Sequence, residues 1–371
     1  MEILKHKRVE LTELFYDLVY VYAVSQVTTL IHHGNLQTAT VFEFLVGMII
    51  YVNSWMVQSV FTNRFGKNSL INISSMFLQM VLLLISSTAI TSNWNTHFYQ
   101  FILPMVGISF ILLGQYISEY LKKDNEINRS VIKPFFYIMG LRTAILFLSA
   151  FIPYKFGLGV ATSGILLTWI LPGLLIKSTE KKSTKSVVPI NFPHLIERLS
   201  LLIIITFGEM IIDIAPTFKA EHLSIVSFII FFAVVNLFMI YIVELDHLIN
   251  LQQIRETGNR AIYAHYLILF GLSFITVCLG EIGISKIITA ITIYILYGGL
   301  ALFVTGVVLH NYYNKSTHRL NRTLYVLEYA TLIISMILSS QLLSQLSVSF
   351  LFFVTTSIIA FIMIVFNIKK S

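Results

Sequence analysis

Charged residues, cysteine and proline are all scarce in this chain. Only 12% of its 371 residues are charged, against about a quarter in a typical soluble domain. Hydrophobic residues make up 56% of the chain, and its mean hydropathy is +0.81. This composition excludes a soluble globular protein and predicts an integral membrane protein. The single cysteine, Cys278, excludes an intramolecular disulfide.

Catalytic and nucleotide-binding motifs are also missing. The sequence has no Walker loop, no G-x-S-x-G, no H-E-x-x-H and no paired Asp-rich motif. Its ten histidines form no histidine box and meet no cysteine cluster, so we expect no metal site and no other cofactor. No enzyme class is therefore favoured.

Long apolar segments dominate what is present. A helix needs roughly 20 apolar residues to cross a bilayer, and twelve segments have that length. They are residues 11–31, 38–61, 70–91, 98–121, 134–152, 156–177, 194–215, 222–246, 261–280, 286–310, 321–341 and 345–368. The first is too long and too acidic for a cleaved signal peptide, and we expect it to be retained. The predicted fold class is an all-α polytopic membrane protein with about twelve transmembrane helices.

Basic residues alternate between the loops and predict the orientation. Lysine and arginine in short loops are retained on the cytoplasmic side. Twenty of the 25 fall at the termini or in the even-numbered loops. Only Lys155, Lys219 and Lys286 fall on the opposite side. The sequence therefore predicts a multi-pass protein of the cell membrane with both termini cytoplasmic. The net charge of +7 calls for no nucleic-acid partner.

The longest polar linker predicts two halves of six helices. We expect a first half at residues 1–177, a cytoplasmic linker at 178–193 and a second half at 194–371. Glu13 and Ser25 are separated by twelve residues, as are Glu197 and Glu209. The halves begin in the same sense, which is typical of parallel repeats related by an axis along the membrane normal.

The first apolar segment carries an acidic stripe. At 100° per residue one narrow arc of the helix collects Glu10, Glu13, Asp17, Tyr20 and Thr28. The other directions carry Phe15, Leu18, Val19 and Tyr22. An ionisable group at the centre of a membrane helix costs roughly 2.5 to 3.5 kcal/mol. We therefore expect the stripe to point into the protein, towards a partner or towards water.

The seventh segment repeats this arrangement. Arg198, Thr206, Glu209 and Asp213 gather on one side of its helix. One interpretation is that helices 1 and 7 line a polar route past Glu13, Asp17, Glu209 and Asp213. The alternative is that each carboxylate is held by a nearby Arg, Tyr or Asn and only fixes the helix register.

Other polar residues at membrane depth suggest structural or coupling roles. Arg142 and Glu328 lie at nearly matching depths of segments five and eleven, so we expect them to pair, or Arg142 to neutralise Asp17 instead. Asn53 and Gln58 are candidates for hydrogen bonds to helix 1. Trp55 is typical of an aromatic residue at the membrane interface.

Several segments resemble one family. E-L-F-Y-D-L-V-Y-V-Y-A-V-S-Q at 13–26 is similar to the opening signature of the low-temperature requirement A family of bacterial membrane proteins. W-M-V-Q-S-V-F-T-N-R-F at 55–65, L-Q-M at 78–80, I-E-R-L-S-L-L-I-I-I-T-F-G-E at 196–209 and Y-A-H-Y-L at 263–267 resemble the same family. The resemblance implies a polytopic membrane protein. The chain departs from the family at Gly66 and Lys67, where the family usually runs acidic.

The acidic stripes favour ion movement. We expect a transporter or channel that moves a proton or a monovalent cation past the acids of helices 1 and 7. Buried acids suit a cation because their charge replaces the lost hydration. The alternatives are a lipid-binding or lipid-modifying membrane protein and a scaffold that transports nothing. The expected partners are membrane lipids, a small ion or small-molecule substrate, and a second copy of the chain in a homo-oligomer.

Overall fold

Twelve α-helices of membrane length make up most of the chain that the structure describes. The computed structural model describes residues 7–31, 38–91, 94–122, 129–180, 190–252 and 257–370. Within these ranges there are twelve helices long and apolar enough to cross a membrane, and no strand beyond two isolated bridges. The helices are α1 Leu11–Thr28, α2 Thr38–Phe65, α3 Leu70–Thr88, α4 Phe98–Leu121, α5 Arg129–Ser149, α6 Tyr154–Glu180, α7 Phe192–Ile214, α8 Ile225–Ile242, α9 Asn259–Ile284, α10 Ala290–Leu309, α11 Arg322–Leu342 and α12 Gln345–Lys370. The predicted fold class is confirmed.

Polar residues at the segment ends begin the helices. Glu10 precedes α1 and forms a capping box with Glu13, whose side chain accepts from the Glu10 backbone N–H at 3.2 Å. Ser69 caps α3 by accepting from the Asn72 backbone N–H. Thr289 does the same for α10. These caps satisfy backbone donors that no other helical residue can reach.

The chain divides into two compact units within α7, between Arg198 and Leu199. In the first unit α1 packs on α2 and α3, and α3, α4, α5 and α6 then pack in succession. α2 closes the arrangement by packing on α4 and α6. The first unit also includes the start of α7, which carries His194 and Arg198.

The second unit has a similar order of neighbours. α9 packs on α10, α10 on α11, α11 on α12, and α12 on α8. Each of these pairs has its counterpart six helices earlier, as two six-helix repeats would require. The repeat stays a prediction, as do the domain bounds. The predicted linker at 178–193 falls largely outside the described residues, which resume at 190.

Candidate functional site

The acidic stripe of α1 faces the interior of the first unit. Glu13 is 4% exposed and Asp17 is 0% exposed. Phe15 and Leu18 are each 51% exposed, as expected of positions that face lipid. Val19 was expected on the outer side, but it is buried. Two ionisable side chains of a mostly apolar helix are thus buried inside the first unit.

Asp17 is held by two side chains from other helices. Its Oδ1 accepts from Trp55 Nε1 of α2 at 2.6 Å and from Arg198 Nη2 of α7, and Oδ2 accepts from Arg198 Nε at 3.5 Å. The cation on Asp17 is therefore Arg198, where the sequence had suggested Arg142. Trp55 is 1% exposed, so its ring faces the protein interior, and its position at the membrane interface stays a prediction.

The Arg198 guanidinium is itself fully enclosed. It is 1% exposed, and Nη1 donates to Thr62 Oγ1 at 2.8 Å. Glu13 Oε1 lies 4.0 Å from Nη1, and the guanidinium carbon lies 5.2 Å from the centre of the Trp55 ring. A buried arginine is tolerated when carboxylates and hydrogen bonds compensate its charge. One guanidinium therefore joins Glu13 and Asp17, the two buried acids of the stripe.

Glu13 has its own base, His194. Their Oε2 and Nε2 atoms are 3.0 Å apart. The orientation of the Asn63 side-chain amide is fixed by Asn191. Asn63 Oδ1 accepts from the Asn191 N–H at 2.9 Å, and Asn63 Nδ2 donates to the Asn191 carbonyl. Asn63 thus presents its Nδ2 donor to His194 Nδ1 at 3.0 Å. His194 Nδ1 must then accept, so the neutral ring carries its proton on Nε2 and donates it to Glu13.

A cleft of about 370 Å³, part of it open to solvent, leads to Glu13 from the end of the unit where α1 begins. Lys7, Glu10, Lys67 and Asn72 also line it. Lys7 Nζ donates to the Gly66 carbonyl at 3.0 Å. Burial lowers the pKa of the Lys7 ammonium, against the opposing attraction of Glu13. The cleft gives water access to Glu10 and to Glu13, the outer of the two buried acids.

An amide cluster lies next to this network. Tyr16 donates to Gln79 Oε1 at 2.7 Å. Gln79 Nε2 in turn reaches Gln58 Oε1 at 3.1 Å and Gln115 Oε1 at 3.4 Å. The Nε2 groups of Gln58 and Gln115 have no acceptor among the described residues. Among the described residues, the Gln58 side chain is therefore linked to Tyr16 of α1 by way of Gln79 of α3. The predicted bond was a direct one to α1.

Two further candidates of the first unit are buried in its interior. Arg142 is 1% exposed and donates to Ser54 Oγ at 2.6 Å. Asn53 accepts from Thr168 of α6 at 3.0 Å. A bond from Asn53 to α1, and the pairing of Arg142 with Glu328, stay predictions.

The other predicted acids belong to the second unit. Glu209 and Asp213 of α7 are partly buried, and a Cβ built on Gly280 of α9 would overlap Asp213 Oδ2. Asp213 thus lies directly against the α9 backbone. A route shared by these acids and the stripe of α1 stays a prediction.

Sequence analysis missed His194 as the partner of Glu13. A signal was present: Glu13 and Asp17 are four residues apart, and so are His194 and Arg198. Residues at i and i+4 lie on one helical face. An acidic pair and a basic pair with equal spacing can therefore meet face to face.

The family model described as bacterial low temperature requirement A protein (LtrA) matches residues 8–362 of the 371-residue chain. The match begins just before α1 and ends within α12, so it spans both units. It confirms the predicted resemblance. No curated protein matches the chain.

Proposed function

The chain belongs to the bacterial low temperature requirement A family, and we propose that this membrane protein is a proton-coupled transporter. The contacts that carry the proposal are those of Glu13 and Asp17, two carboxylates buried in a membrane-length helix and joined by Arg198. Intramembrane ionisable residues are expensive to keep and mark ion pathways and proton relays. Glu13 borders an open cleft while Asp17 lies behind it, so a proton has an entrance and a deeper acceptor.

The packing around Asp17 favours a gated transporter over an open channel. Trp55 and Arg198 cover the oxygens of Asp17, which is fully buried. A passing cation would have to displace the guanidinium. Breaking a buried ion pair costs roughly 3 to 5 kcal/mol, so passage requires a change of conformation.

Protonation supplies a reason for that change. A proton on Asp17 removes the charge that compensates Arg198, and a proton on Glu13 removes its attraction for His194 and Arg198. The buried guanidinium is then unpaired, which favours any arrangement that gives it another partner or water. Proton occupancy and conformation are thereby coupled, as secondary transport requires.

His194 connects Glu13 to α2, because Asn63 Nδ2 lies 3.0 Å from its Nδ1 while its Nε2 lies 3.0 Å from Glu13 Oε2. The amide cluster beside the network has donors to spare on Gln58 and Gln115, and they are suited to a water or to an oxygen of the transported solute.

Electrophysiology on a solid-supported membrane tests the proposal without knowledge of the solute. Wild-type proteoliposomes should give a transient current after an acid pH jump, because protons enter the network. Glu13→Gln should abolish most of this current. So should the charge-balanced double variant Asp17→Asn/Arg198→Gln, which removes one buried negative and one buried positive charge together.

The matched control is Glu221→Gln, a change to an exposed acid in the segment between α7 and α8. Its current should equal that of the wild type. A wild-type current no larger than that of protein-free membranes contradicts the proposal. So does a wild-type current in both network variants, since protons would then move elsewhere.

A further inference from the structure

The end of α8 departs from α-helical geometry in the second unit. Residues Val243–Leu248 form a π-helical turn, a feature frequent at functional sites. Two backbone hydrogen bonds join the segment after α10 to this turn and the residues that follow it. The Asn250 N–H donates to the Tyr313 carbonyl and the Lys315 N–H donates to the Leu248 carbonyl, each at 2.9 Å. Glu244 lies in the first turn of this π-helix and is 0% exposed.

A second buried carboxylate lies near Glu244. Glu328 of α11 is 1% exposed, and the two carboxylates interact electrostatically. Tyr325, three residues before Glu328, interacts with both, and the Asn314 side chain lies beside Glu244. Three segments of the second unit therefore bring oxygen-bearing side chains to one place.

Most of these oxygens have no donor. Both carboxylate oxygens of Glu244 are buried and have no partner in hydrogen-bond geometry among the described residues, and the same holds for Glu328 Oε1. Asn314 Oδ1 and the Tyr325 hydroxyl oxygen also lack a partner there. Lys315 follows Asn314 in the chain, but its Nζ donates to the His247 carbonyl at 2.8 Å. Two buried, interacting acids are thus accompanied by two further unsatisfied oxygen groups, Asn314 Oδ1 and the Tyr325 hydroxyl, and by no ammonium or guanidinium among the interactions described for them.

Such an arrangement favours a bound positive ion, either a metal cation or a proton. Enclosing a carboxylate without compensation costs several kcal/mol for each ion, and buried polar atoms almost always have partners. An oxygen-only set selects hard metal cations over those that prefer nitrogen or sulfur. Two carboxylates, one amide and one phenol are few ligands for Ca²⁺, which takes six to eight oxygens, and Mg²⁺ keeps several waters.

We propose that Glu244, Glu328, Asn314 and Tyr325 bind an alkali metal cation, Na⁺ or K⁺, in the second unit. The cation would tie the π-helical turn of α8 to α11 through the carboxylates. The site is independent of the network around Asp17, and the proposal stands whether or not the protein transports protons.

Thermal unfolding of the purified protein in NaCl, KCl or choline chloride at equal ionic strength tests the site. A ligand that binds only the folded state raises the melting temperature in a concentration-dependent way. We expect Na⁺ or K⁺ to do so saturably relative to choline. Glu244→Gln and Glu328→Gln should abolish the difference. Glu281→Gln is the matched control, because Glu281 is a partly buried acid of the same unit that accepts from Thr292 instead.

Milder changes keep the test decisive if the Gln variants fail to fold. Tyr325→Phe removes one neutral ligand and should raise the half-saturating cation concentration about tenfold. Binding of radioactive Na⁺, displaced by unlabelled Na⁺ or K⁺, should weaken in parallel. Equal melting in all three salts with no Na⁺ binding overturns the proposal. So does stabilisation by Mg²⁺ or Ca²⁺ alone, or Gln variants that are more stable than wild type in choline, which would identify a bound proton instead.

Discussion

Removing the carboxylate of Asp17 alone should destabilise the protein strongly. Asp17→Asn puts an amide where Arg198 needs an acceptor, and the guanidinium is 1% exposed and cannot turn to water. Truncating one partner of a buried ion pair costs roughly 3 to 5 kcal/mol. That cost lowers the folding equilibrium constant about a hundred- to several-thousand-fold. Arg198→Gln should cost a similar amount, because it leaves the Asp17 carboxylate with Trp55 alone.

A double-mutant cycle measures how much of this cost belongs to the pair. The free energy of unfolding is measured for wild type, both single variants and Asp17→Asn/Arg198→Gln in mixed detergent micelles. The double variant should lose about 2 to 3 kcal/mol less than the sum of the singles. Thr62→Val removes one neutral acceptor from the same guanidinium and should cost about 1.5 to 3 kcal/mol. If Asp17→Asn unfolds like the wild type, or the two losses simply add, Asp17 and Arg198 are not a buried pair.

Two further predictions concern packing and orientation. Gly280→Ala should destabilise the protein by about 1 to 3 kcal/mol because the new methyl group overlaps Asp213. The control is Gly298→Ala, at a helical glycine with open space, which should be neutral or stabilise the protein by roughly 0.5 to 1 kcal/mol. Equal effects of the two changes in thermal unfolding would refute the close approach of Asp213. In a Cys278→Ala background, a cysteine in the 178–193 linker should resist an impermeant thiol reagent applied outside cells while one at Asn95 reacts. Labelling of both would overturn the predicted orientation.

The helices could be predicted because the bilayer imposes length and polarity on each one. The first predicted segment, 11–31, coincides with the span in the structure, since its ends are marked by charge and by polar residues. α5 begins at Arg129, five residues before the predicted start, and therefore contains Pro134 as its sixth residue. Pro134 lies past the first turn, so its missing N–H leaves the carbonyl four residues earlier without its helical partner.

The inward direction of the acids could also be predicted, but their partners could not. Periodicity places Glu13 and Asp17 on one face of α1. Their partners lie 181 residues away in the chain, and no local pattern states which distant helix is adjacent. Arg142 was an equally good candidate by charge and depth. Only the packing of the start of α7 within the first unit decides for Arg198.

Glu244 was missed for a different reason. A lone acid at the end of an apolar segment is usually a loop residue facing water. Glu244 is buried, and it lies four residues after Ile240 and three after Tyr241, both buried residues of α8. At 100° per residue these three side chains share one face, so periodicity could have predicted its inward direction, but not its neighbours from other segments.

Infrared difference spectroscopy tests most directly whether the network of Glu13 and Asp17 takes up protons. The spectrum of the wild type at low pH minus that at high pH should contain the carbonyl band of a newly protonated buried carboxyl. Glu13→Gln should remove or shift this band, as should Asp17→Asn/Arg198→Gln, while Glu221→Gln should leave it unchanged. A band that is absent in the wild type, or identical in both network variants, would contradict proton coupling at this site.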